Sequence, residues 1–220
     1  MTSHASRLVA AFALLGVLAH ASPAVAQSGQ AHAVIVRMLD RNPALRSFRS
    51  RVHVDARMYN FPFLRPSLDG TSYFKRPDSY EVIFDRLPPY ARGFERLFND
   101  IGDPASWEKG QNVTYDGQRS IAGRAALVLR MTKKIRSDQL IYTLAYVDPS
   151  TYEVSQMEWH YTSGGTIVMT QTFRLEGGFR VLASQHADIS IPHFRGIADS
   201  RYAPYETNMA LSDSVFARKI

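Results

Sequence analysis

The chain has 220 residues, a formal net charge of +6 and no cysteine, and 45% of its residues are hydrophobic. Without cysteine it carries no disulfide, no thiolate metal centre and no lipidated cysteine. Its lysines and arginines are mostly scattered singly, which speaks against a nucleic-acid-binding stripe.

Residues 1–26 read as a secretory signal: Arg7, an apolar run from Leu8 to Leu18, a helix-breaking Pro23 and the triplet Ala24-Val25-Ala26. The pattern predicts cleavage before Gln27, and the apolar run is shorter than the about 20 residues of a membrane span. Arg7 is the only charged residue of that segment, so the remainder carries +5, enough for weak attraction to anionic membrane surfaces. Residues 27–220 are expected to form one exported domain, most simply periplasmic and monomeric.

From Ala31 to Leu45, Val34, Ile35, Met38 and Leu39 recur at helical spacing with Arg37, Asp40 and Arg41 on the other side. This predicts a short amphipathic helix ended by Asn42-Pro43. The period then changes to two, with Val52, Val54 and Ala56 alternating with charged residues. The same rhythm returns at 71–76, 80–84, 112–115, 125–132, 140–147, 152–161, 166–175 and 179–191. Turn sequences such as Asp69-Gly70, Asp116-Gly117, Asp148-Pro149-Ser150 and Gly177-Gly178 separate these segments. About nine strands joined by short turns describe an antiparallel meander curled into a barrel or a strongly curved half-barrel. One stretch interrupts it: between Pro88 and Gly102, Tyr90, Phe94, Leu97, Phe98 and Ile101 fall on one helical face, predicting an inserted amphipathic helix.

Motifs of catalysis are absent: no Gly-x-Ser-x-Gly elbow, no phosphate loop, no His-Glu-x-x-His and no dinucleotide fingerprint. His186, Asp188 and His193 suggest a metal site on paper, but His186 and Asp188 alternate with Ala187 and Ile189 and so belong to the solvent face of a strand. No cofactor and no enzymatic activity are expected. Apolar placement is more telling. Met157, Trp159 and Tyr161 share one strand face, and Ile167, Met169 and Phe173 share another. Such residues either fill a sheet core or line a cavity, and methionine suits variable acyl shapes.

Phe74-Lys75-Arg76-Pro77-Asp78, the Ser47-Phe48-Arg49-Ser50 strand entry, the preceding helix, and the turn Val147-Asp148-Pro149-Ser150 before a strand with Met157 carry a resemblance. From about Ala31 to Leu175 the chain resembles the LolA-like family of periplasmic outer-membrane lipoprotein carriers. The resemblance implies an α+β fold, a strongly curved antiparallel sheet forming an incomplete β-barrel, covered by an N-terminal helix and an inserted lid helix. It implies a cavity that takes lipoprotein acyl chains. The arginine of Lys-Arg-Pro, here Arg76, would tie its strand to the lid through backbone carbonyls. The Pro88–Gly102 insertion and the long aromatic tail with Tyr202, Tyr205, Asn208 and Phe216 depart from the family pattern.

The expected function is therefore a periplasmic carrier or sensor of lipoprotein acyl chains or another lipid. Phe94, Leu97, Phe98 and Ile101 would form the lid wall, and Phe74, Arg76, Met157, Trp159, Ile167 and Met169 the sheet wall. The alternative is an envelope protein-interaction module with a filled core, docking through its basic faces and aromatic tail. A hydrolase or metalloenzyme at His186, Asp188 and His193 comes third.

Overall fold

The computed structural model describes residues 23–88, 104–135, 139–192 and 194–217. Two helices, α1 (Pro23–Leu39) and α2 (Pro104–Gly110), accompany eleven strands. The strands are β1 (Ser47–Met58), β2 (Ser67–Lys75), β3 (Ser79–Phe84), β4 (Gln111–Ile121), β5 (Arg124–Lys133), β6 (Leu140–Val147), β7 (Val154–Tyr161), β8 (Thr166–Glu176), β9 (Phe179–Ile191), β10 (Phe194–Tyr202) and the short β11 (Glu206–Thr207).

Ala31, Val34, Ile35 and Met38 recur at intervals of three and four and are all buried, so one stripe of α1 faces the sheet. The helix starts earlier than expected, at Pro23, a residue whose fixed φ suits a first turn. It also stops earlier, at Leu39, because Asn42 precedes a proline and is pushed out of the helical region. Cleavage before Gln27 would remove the first four residues of α1 and leave the buried stripe intact. α1 packs on β4 and on α2, and α2 is pinned by Trp107, 1% exposed. The helix expected at Pro88–Gly102 lies outside the described residues.

All strands join one antiparallel sheet in the order β3-β2-β1-β10-β9-β8-β7-β6-β5-β4, with β11 beside β1. The sheet is curved and open, with β3 and β4 at opposite edges, so it is an incomplete barrel. Between Phe84 and Gln111 the chain passes from one edge to the other. The concave face supplies the main core, where α1 and Trp107 meet Val52, Val54, Leu129, Met131, Ala145 and Val147. A satellite cluster of Ala126, Val128, Leu144 and Tyr146 occupies the opposite face of β5 and β6.

The chain after Ile191, where no strand was expected, supplies an interior strand of the sheet, β10. β10 lies between β1 and β9 with Met58 opposite Gly196, Ala56 opposite Ala198, Val54 opposite Ser200 and Val52 opposite Tyr202. Met58 and Val54 of β1 thus face the smaller Gly196 and Ser200, whereas Ala56 meets Ala198 and Val52 the larger Tyr202. At Gly196 a Cβ would come within 2.4 Å of the Arg57 carbonyl oxygen, so only glycine fits.

Candidate functional site

At one end of the sheet, the last turn of α1 and the residues after it stand over β1, β2, β8 and β9 and enclose a cavity of about 140 Å³. Met38, Leu39, Leu45, Phe48, Phe74, Tyr80, Val154, Phe173, Val181, Leu182 and Tyr205 give it an apolar wall. Phe48 is its centre: its ring stacks on Phe74 at 5.3 Å and meets Tyr205 edge-on at 5.0 Å. These rings come together because β1 pairs Phe48 with Phe74 on one side, while Thr207 of β11 lies opposite Phe48 on the other and brings Tyr205 near.

Arg76 closes the cavity at the end of β2. Its Nε donates to the Leu45 carbonyl at 2.7 Å, and its Nη2 to the Asn42 and Leu39 carbonyls at 2.8 and 3.2 Å. One guanidinium thus satisfies three acceptors where α1 has ended and the helical ladder offers no donor. Its backbone N–H adds a bond to the Arg46 carbonyl at 2.8 Å. The resemblance implied a tie from Arg76 to the lid helix; the carbonyls that Arg76 meets belong to the end of α1 and the residues after it, and the expected lid lies outside the described residues.

Two more guanidiniums line the cavity. Arg180, on β9, grips Glu153 with both arms, Nε to Oε1 at 2.7 Å and Nη2 to Oε2 at 2.9 Å. That pairing holds the Arg180 guanidinium above its ordinary pKa. Arg41, expected on the polar side of the N-terminal helix, falls beyond the end of α1 and turns inward. It lies over the Phe173 ring at 5.1 Å, and its Nε is buried with no hydrogen-bond partner among the described residues. Burial pushes its pKa below the ordinary value, with the nearby Glu153 charge opposing the shift.

The C-terminal tail buttresses this end. Tyr205 donates its hydroxyl to the Leu182 carbonyl at 2.9 Å, and Tyr202 donates to Gln185 at 2.9 Å. Burial raises both phenols well above their ordinary pKa, which keeps them neutral.

The expected site residues fall into three groups. Phe74 and Arg76 line the cavity. Met157, Trp159, Ile167 and Met169 face one another across β7 and β8, Met157 opposite Met169 and Trp159 opposite Ile167, and at 2–4% exposure belong to the packed core and not to the cavity lining. Phe94, Leu97, Phe98 and Ile101 lie outside the described residues. The sequence analysis did not place Phe48, Arg41, Arg180 or Tyr205 in the cavity, although Phe48 stood in the strand-entry motif, Arg41 beside the N-terminal helix, Arg180 in an expected strand and Tyr205 in the aromatic tail.

His186 sits on the outer face as expected, paired to Asp199 at 2.7 Å and Asp188 at 3.5 Å. His193 lies outside the described residues. Among the described residues no group of three or more His, Asp or Glu is placed to hold a metal ion, and no helix is long and apolar enough to cross a membrane.

No protein-family model matches the chain, and neither does any curated protein. Solved structures do. A DUF1329 family protein from Desulfovibrio piger superposes with a TM-score of 0.67 at 12% identity, covering 86% of this chain and 97% of its own. A LolA superfamily protein from Nitrosomonas europaea gives 0.63 at 15% identity with the same coverages. A domain named for outer membrane lipoprotein sorting, from Vibrio parahaemolyticus, gives 0.63 at 8% identity, again with 86% and 97% covered. At such identities the match speaks for architecture: this chain has a LolA-like fold.

Proposed function

We propose that the protein is an exported, non-enzymatic carrier or sensor of the cell envelope that holds an alkyl chain in the cavity between α1 and the sheet. The observation that carries the reading is the cavity itself. On a LolA-like fold, aromatic and aliphatic side chains from β1, β2, β8 and β9 converge under the end of α1, and Arg76 fastens that end to the sheet. Burial of apolar surface drives binding at about 25 cal/mol per Å². At about 140 Å³ the cavity is smaller than the roughly 300–1,000 Å³ of a drug-sized site. A short chain fits directly. A longer acyl chain would part α1 from the sheet and reach Met157, Trp159, Ile167 and Met169, with release of the Arg76 bonds as the opening step. Periplasmic location and loss of residues 1–26 belong to the same proposal.

The tip of the β1–β2 hairpin supports contact with a membrane surface. Phe63 is 80% exposed and Tyr59 56%, Phe61 stands beside Phe63, and Arg57 and Arg65 flank them. Exposed aromatics between arginines suit the boundary of an anionic bilayer.

The experiment is displacement of a solvatochromic apolar probe by an acylated peptide. The reading expects displacement at one site per chain, weakened by Phe48→Ser and by Phe173→Ser. An acylated peptide that neither displaces the probe nor raises the thermal midpoint would sink it. The second reading, an interaction module with a filled core, draws on the packing of Met157, Trp159, Ile167 and Met169. It expects no lipid dependence of any kind.

A further inference from the structure

We propose that the cavity contains an anion subsite at Arg41, so that its ligand is a single alkyl chain ending in a carboxylate or phosphate. The proposal rests on the reading of the cavity as an alkyl-chain site and adds the chemistry of the ligand's polar end.

Of the three guanidiniums in the cavity wall, two are already committed. Arg76 is committed to three backbone carbonyls and Arg180 to both oxygens of Glu153. Glu153 is gripped by Arg180 and also accepts from the Thr151 hydroxyl at 3.2 Å; its charge reaches Arg41, but the two form no ion pair. Arg41 has neither kind of partner among the described residues: it forms no ion pair, and its contact is the face of Phe173. Among the described residues the cavity is lined by three guanidiniums and no carboxylate, and the nearby Glu153 is paired to Arg180, so positive charge is in excess there.

A guanidinium withdrawn from water without an ion pair or full hydrogen bonding destabilises the fold that holds it. Arg41 is not forced inward by its chain position, which follows a helix end at the surface, where a long side chain has solvent available. A bound anion resolves the mismatch. The planar fork of a guanidinium matches a carboxylate or phosphate bidentately. The Phe173 ring beneath Arg41 belongs to the apolar wall, so head group and chain would be met by adjacent side chains. The cavity volume of about 140 Å³ favours one chain over the several chains of a complete lipoprotein anchor.

The test is calorimetric titration of the exported chain with dodecanoate, methyl dodecanoate, dodecyl phosphate and inorganic phosphate, on the unaltered protein and on Arg41→Met. Dodecanoate should bind more tightly than its methyl ester by about tenfold or more, the size of a charge-assisted hydrogen-bonded pair. In Arg41→Met the ratio should fall to about one with ester binding unchanged, and the ligand-free variant should melt no lower than the parent. Preference for dodecyl phosphate over dodecanoate assigns the head as a phosphate, and the reverse assigns a carboxylate; either supports the subsite. Acid and ester binding equally to the unaltered protein would overturn the subsite while leaving the alkyl-chain reading intact. Failure of every chain to bind would remove the alkyl-chain reading itself. Inorganic phosphate binding as tightly as dodecyl phosphate would replace the amphiphile by a free anion and overturn the proposal. A lower melting temperature in Arg41→Met with head-group preference retained would show that Arg41 is structural.

Discussion

Leu39, Asn42 and Leu45 each present a carbonyl where α1 has ended, and the three converge on the single side chain of Arg76. Arg76→Met should therefore deprive the Leu39 and Leu45 carbonyls of their donor, the Asn42 carbonyl keeping the Leu45 N–H, and cost about 2–3 kcal/mol of stability. In hydrogen exchange, protection should fall first in the last turn of α1. Arg76→Lys should restore little, since an ammonium cannot reproduce the planar fork. Equal protection of α1 in parent and variant would show that Arg76 is not its fastening. A second residue-scale prediction concerns pH. Hydrogen bonding to Asp199, and then the Asp199 and Asp188 charges, raise the pKa of His186; hydrogen bonding to Asp69 likewise leads the rise at His53. A histidine whose folded pKa exceeds its unfolded value of about 6.5 stabilises fully below that value, and the contribution fades as pH rises through the folded pKa. Thermal midpoints should thus decline on going upward from about pH 6.5, and less so in the double variant His53→Gln/His186→Gln. Added salt should shrink the difference, since both histidines sit at the surface. A midpoint that rises over the same interval solely because of these histidines would contradict the sign.

At the scale of elements, β10 explains where sequence and structure part. Its inward positions are Gly196, Ala198, Ser200 and Tyr202, so the alternation that marks a strand is carried mostly by small residues and leaves no hydrophobic period to read. The strand is nonetheless central. Gly196→Val should drive a side chain into the Arg57 carbonyl and cost about 2 kcal/mol or more in denaturant unfolding, through loss of the β1–β10 pairing. An unchanged midpoint would mean that β1 and β10 do not approach as closely as described. The other strands were legible because Val52, Val54, Ile167, Met169 and Ile189 repeat every second position on a buried face. The N-terminal helix was legible for the same reason at a different period, though its bounds were less so: it begins at Pro23, well before the expected Ala31, and ends at Leu39, just short of the expected stop at Asn42-Pro43. Of the cavity, the Phe74 and Arg76 side was readable because a local motif places both on one strand end. Arg41, Glu153, Arg180 and Tyr205 come from four separate segments, brought together by tertiary contacts: Asn42 bonds the Arg180 backbone, Arg180 grips Glu153, and the β1–β11 pairing carries Tyr205 in.

The molecule as a whole is a sheet left open, with β3 and β4 unpaired to each other and helices laid on the concave side. Met157, Trp159, Ile167, Met169 and the α1 stripe pack together in the core of that concavity, and among the described residues a cavity is found at the Arg76 end. On the proposed carrier reading, binding would draw on the difference between the packed, latched state and an open one that exposes more of the same apolar wall. Membrane contact belongs to this scale too: Phe61→Ser/Phe63→Ser should reduce cosedimentation with anionic vesicles without altering the melting temperature, because both rings are exposed. The most direct test of the account is lipid extraction and mass spectrometry of the protein purified from its native envelope compartment. The account predicts alkyl-chain ligand in near-equimolar amount, depleted in a Phe48→Ser/Phe173→Ser variant that still folds. Protein recovered free of lipid, and unchanged in melting temperature when alkyl ligand is added, would contradict it.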